Sequence, residues 1–69
     1  MEYNELIAAF KAQIDKFSHN AKIADWGRRL EAENKGFGWP AIYANFVMKQ
    51  VARMTDDNLA AFFSRPEFN

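Results

Sequence analysis

A chain of 69 residues with no cysteine has room for one small domain, spanning 1–69, and excludes disulfides and thiolate metal sites. Nine basic residues cancel nine acidic ones, and each half of the chain is balanced by itself, so nucleic acid is not an expected partner. Eleven aromatic side chains are a large apolar load for a domain this size, which buries only about 60% of its unfolded surface.

The first predicted helix covers 4–17. Tyr3, Ile7, Phe10, Ile14 and Phe17 are spaced by four, three, four and three, which aligns them as a seam along one face. Leu6 widens the seam. Lys11, Gln13, Asp15 and Lys16 take the opposite, solvated side.

Ser18-His19-Asn20 reads as a turn, with Ser18 or Asn20 as the cap of a second helix over Ala21–Asn34. Ile23, Trp26 and Leu30 form its apolar stripe, and Asp25 and Arg29 are placed to pair four residues apart. Gly27 costs about 1 kcal/mol against alanine inside a helix, so close approach of a neighbouring helix or ring is expected there. Gly36 suits the left-handed position just past the end.

Lys35-Gly36-Phe37-Gly38-Trp39-Pro40 is the main break, and Pro40 fits the first position of a third helix over Pro40–Met54. Ile42, Tyr43, Phe46, Val47, Val51 and Met54 give that helix a broad apolar face, as expected of the central member of a bundle. Asn45, Met48, Lys49 and Arg53 read as peripheral. Thr55 caps a short fourth helix over Asp56–Ser64, with two aspartates at the positive end of its dipole. It buries Leu59, Phe62 and Phe63. Pro66 stops it, and Phe68 lies on a tail that frays unless it docks. The fold expected is all-α: a small compact bundle of three longer helices and one short C-terminal helix.

No constellation for catalysis emerges. His19 is the lone histidine, and Ser18 beside it has no third group to orient a base, so the pair reads as turn and cap. The carboxylate pairs Glu2/Glu5, Glu31/Glu33 and Asp56/Asp57 fall at helix ends or on solvated faces, where nothing separates their pKa values. Gly-Phe-Gly-Trp lacks the Lys-Ser or Lys-Thr of a phosphate loop. One histidine and no cysteine leave no zinc set. Neither enzyme activity nor a metal or other cofactor is expected. The N-terminus is acidic, unlike a signal peptide, and no apolar run approaches the roughly 20 residues that span a bilayer. A cytoplasmic location with no membrane partner follows as the expectation.

Asp57-Asn58-Leu59-Ala60-Ala61-Phe62-Phe63-Ser64 resembles a helix of the Hha family of small helical modulators of nucleoid proteins. The likeness covers that stretch alone. The neutral charge and the Gly-Phe-Gly-Trp-Pro loop depart from that family, and no site residue carries over.

The expected function is non-enzymatic: a small adaptor, inhibitor or modulator that binds a larger protein and forms a homodimer. Its surface would combine the seam of the first helix, including Tyr3, with Phe37 and Trp39 of the glycine-bounded loop and with Phe63 and Phe68. The alternative is a nucleic-acid-associated transcriptional regulator. It would use a basic patch of Lys22, Arg28, Arg29 and Lys35 on the second helix, which Asp25, Glu31 and Glu33 dilute. The third helix is too apolar to serve as a groove-reading helix.

Overall fold

The computed structural model describes residues 2–69. Four α-helices follow one another: α1 Tyr3–Asp15, α2 Ala21–Asn34, α3 Gly38–Ala52 and α4 Asp56–Phe63. A single 3₁₀ turn, Pro66–Phe68, closes the chain, and there is no strand among the described residues. The fold is therefore the all-α bundle of three longer helices and one short one. Its radius of gyration, 11.5 Å, matches the value of about 11 Å for a compact chain of this length.

Local chemistry sets the helix starts. Asn20 Oδ1 accepts from the backbone N–H groups of Lys22 and Ile23 at 2.9 and 3.2 Å, so Asn20 caps α2 and Ser18 does not. Thr55 Oγ1 accepts from the Asn58 N–H at 3.3 Å and caps α4. Helix α3 begins two residues before Pro40, at Gly38. Its entry needs a left-handed residue, and Gly38 supplies it with φ +76°. The left-handed glycine thus lies at the start of α3 and not at Gly36, which donates its N–H to Glu33 O at 3.0 Å.

The core comprises Leu6 and Phe10 of α1, Ile23 and Leu30 of α2, Ala44, Met48 and Val51 of α3, and Leu59, Phe63 and Phe68. Helix α1 is rotated from its expected setting. Leu6, Phe10 and Gln13 point inward, while Ile7, Ile14 and Phe17 flank them, half-buried. Gln13, expected in water, is the sole buried polar side chain among the described residues. Its amide nitrogen, Nε2, donates hydrogen bonds to Val51 O at 3.1 Å and Met54 O at 2.9 Å. Val51 is in the last turn of α3 and its carbonyl also accepts from the Met54 N–H at 3.1 Å, while Met54 lies two residues past the helix end. The side chain of α1 thereby caps α3.

Gly27 is buried where α2 crosses α1. A Cβ there would sit 3.1–3.3 Å from three carbon atoms of Ile14, which is the close approach expected of a glycine in mid-helix.

The tail does not fray. Phe68 is buried, and its carbonyl accepts from Asn20 Nδ2 at 2.9 Å. Lys22 Nζ donates to the Asn69 carbonyl. Trp26, Phe62, Phe63 and Phe68 form a cluster of mutually tilted and edge-on rings 5.2–5.8 Å apart, a range that favours aromatic contact. Phe10 reaches it through Trp26, and Phe17 through Phe63. Six of the chain's aromatic rings are thus packed together.

Candidate functional site

The other five aromatic rings stand on the surface. Four of them lie on one segment: Phe37 is 96% exposed, Trp39 81%, Tyr43 65% and Phe46 59%, with Ile42 at 59% between them. Tyr3, 48% exposed, is the fifth.

The position of these side chains follows from the two faces of α3. Ala44, Met48 and Val51, spaced by four and three, face α1 and α2. Trp39, Ile42, Tyr43 and Phe46, spaced by three, one and three, make an equally regular second stripe. Only one stripe can face the bundle. The inner one contains Ala44, whose small side chain permits close helix packing, and flexible Met48, which fills irregular gaps. The outer one consists of wide side chains for which the thin bundle provides no second layer. The expectation that Ile42, Tyr43 and Phe46 line the core while Met48 is peripheral is thus corrected, whereas Val51 is buried and Val47 and Met54 pack on the core as expected.

Two hollows border the outer stripe. The larger, about 760 Å³, runs between α2, α3 and the C-terminal turn. Trp26, Leu30, Val47 and Phe62 contribute its apolar lining, Tyr43 stands in its wall, and Lys22, Arg28, Arg29 and Arg65 ring it together with Asp25 and Glu67. The smaller, about 330 Å³, is lined by Phe46, Lys49, Gln50, Arg53, Met54 and Asn58. Tyr43 and Phe46 therefore each belong to the stripe and to a hollow beside it.

The charge around the stripe is uneven. The two hollows together carry six cationic side chains and two carboxylates, although the whole chain is neutral. Asp25, one of the two, is held by Arg28 in an ion pair on the same helix. The pair expected between Asp25 and Arg29 is not formed, because Arg28, three residues on, takes the carboxylate. Arg65 lies over the Phe62 ring, 4.4 Å from its centroid, a cation–π geometry. Helix α3 itself contains no acidic residue.

The residues singled out from the sequence separate into groups. Phe37 and Trp39 are exposed and adjoin the stripe; Tyr3 is exposed on α1. Phe63 and Phe68 are corrected: both are buried in the aromatic cluster with Trp26 and Phe62, and Phe68 reaches only the floor of the larger hollow. The seam of α1 is likewise corrected, since Phe10 is fully buried and Ile7, Ile14 and Phe17 pack on the bundle's own core. Of the basic patch, Lys22, Arg28 and Arg29 line the larger hollow, and Lys35 does not. Arg28 and Lys22 are already engaged, with Asp25 and the Asn69 carbonyl. The sequence reading missed Ile42, Tyr43 and Phe46 as surface residues.

Two further ion pairs involve titratable groups away from the stripe. Ser18 and His19 are exposed. Asp56 is held below its ordinary carboxylate value by a hydrogen bond from Lys16 at 2.8 Å and by that ammonium's charge. Lys11 and Glu31 pair at 3.5 Å. No group of three or more His, Asp or Glu able to hold a metal occurs among the described residues, and no helix there is long and apolar enough to cross a membrane. Against this geometry, comparison with family models, with curated proteins and with solved structures finds no match.

Proposed function

We propose that the chain is a non-enzymatic interaction module that docks on a larger protein through the outer face of α3 and the loop before it. One observation carries the reading: Phe37, Trp39, Ile42, Tyr43 and Phe46 are all more than half exposed on consecutive turns of one segment. Scattered apolar side chains are ordinary on a protein surface, but a contiguous stripe is not, and such patches mark interaction sites. Tryptophan and tyrosine are also the residue types that dominate binding energy at interfaces.

Docking and folding are separable here, because the stripe takes no part in the core. Trp39→Ala and Phe37→Ala leave helicity and the midpoint of chemical unfolding within about 0.5 kcal/mol of the parent, as surface changes do. The same variants lose the protein partner recovered by tagged pull-down from nuclease-treated lysate under a high-salt wash. Variants that unfold, or that retain every partner, would refute the assignment of this face.

A further inference from the structure

We infer that the partner presents an amphipathic helix whose apolar face is flanked by aspartate and glutamate. This rests on the docking reading above and adds the chemistry of the occupant.

Shape gives the first half of the argument. The stripe from Trp39 to Phe46 runs for two turns, about 10 Å of helix. An apolar hollow opens beside it at Tyr43, and a mixed one, with Lys49, Gln50, Arg53 and Asn58 around Phe46 and Met54, opens at its Phe46 end. A helix presenting anchors three and four residues apart matches the stripe and the apolar hollow beside it, where Trp26, Leu30, Val47 and Phe62 receive such anchors as in helix-in-groove recognition.

Charge selects the occupant. Lys22, Arg28, Arg29 and Arg65 line the hollow beside Tyr43, and Lys49 and Arg53 line the one at the Phe46 end. That is six of the chain's nine basic residues beside one apolar stripe, against two of its nine carboxylates. A second copy meeting this face about a two-fold axis would set the same basic border against itself, because such an interface uses one patch twice. Like charges brought together in this way oppose association. An acidic helix meets opposite charge at both hollows and suits Arg29, Lys49 and Arg53, which form no ion pair among the described residues.

The test uses the full chain and two matched sets of synthetic helical peptides of about 16 residues, long enough to hold a helix. Both sets carry Leu, Phe or Trp anchors at i, i+3, i+4 and i+7. One set has Glu on the flanks and the other Lys. Binding is followed by calorimetry and by amide chemical shifts, and self-association by sedimentation. The Glu-flanked set is expected to bind about tenfold more tightly at low salt, the scale of two or three exposed ion pairs. Shifts should centre on Trp39, Tyr43 and Phe46. The double variant Arg29→Glu/Arg53→Glu removes the preference while leaving the fold intact, since both side chains are exposed.

Equal affinity for both sets, with shifts on the stripe, would overturn the acidic partner and leave the docking face standing. A dimer whose contact covers the stripe would overturn it in favour of a second copy. A monomer whose stripe responds to neither set would overturn both this inference and the reading beneath it.

Discussion

Gln13 shows how one side chain joins two elements. A polar group taken out of water must find partners, and this one finds two backbone carbonyls, one in the last turn of α3 and one just past it. Gln13→Leu keeps the volume but strips a donor from Met54 O and Val51 O. The expected loss is about 2 kcal/mol of unfolding free energy, the cost of leaving a buried acceptor unmet. Gln13→Glu is worse near neutral pH, because an ionised carboxylate brings acceptors to acceptors; part of its stability should return in acid as the side chain protonates. Chemical denaturation of the two variants at two pH values checks both. The sequence offered no sign of this role. Gln13 lies between Lys11 and Asp15 on what reads as a polar face, and only the rotation of α1 about its axis makes it interior.

At the scale of elements, most helix boundaries were legible because caps and breakers are local chemistry. Asn20, Thr55 and the glycine-rich break announce three of the starts from within a few residues. Which face each helix turns inward is a different matter, since it depends on what lies across the bundle. In α3 two regular stripes compete, 44–48–51 and 39–42–43–46, and periodicity cannot rank them. A helix apolar all round in so small a bundle must leave one stripe uncovered, and that inference was available from the sequence. Helices α1 and α4 are also tied by charge, through Lys16 and Asp56 at 2.8 Å. The hydrogen bond from Lys16, then its charge, lowers the Asp56 pKa in the folded chain. The contribution to stability is therefore present above the ordinary aspartate pKa and fades as pH falls through the lowered one. Lys16→Met should return Asp56 towards its ordinary value in an NMR titration. Both side chains are exposed, so the change in stability near pH 7 should be small.

For the whole molecule, the closing of the C-terminal turn onto α2 matters most. Phe68 completes an aromatic cluster that draws on α1, α2, α4 and the final turn, and Asn20 and Lys22 hold its backbone in place. Phe68→Ala should cost about 3 kcal/mol or more, by the lost ring and the cavity left behind. A chain of this size has a total stability of only about 4–10 kcal/mol, so the variant should melt far below the parent in a thermal scan followed by circular dichroism. The surplus of aromatic rings was visible in the composition, and so was the conclusion that a thin core cannot cover all eleven. Their division was less so: Phe63 is buried as its place on the fourth helix suggests, but Phe68 went inside and Tyr43 and Phe46 outside, because packing is settled by neighbours distant in the chain.

That division separates the two tryptophans. Trp26 is half-buried among phenylalanine rings, and Trp39 is 81% exposed on the outer stripe of α3, the face proposed for docking. Their indoles therefore experience different polarity, which separates their emission and their access to a soluble quencher. One fluorophore follows the melting of the aromatic cluster and the other follows the arrival of a ligand. With either one replaced by phenylalanine, folding and docking become two optical signals that can be read independently in unlabelled protein.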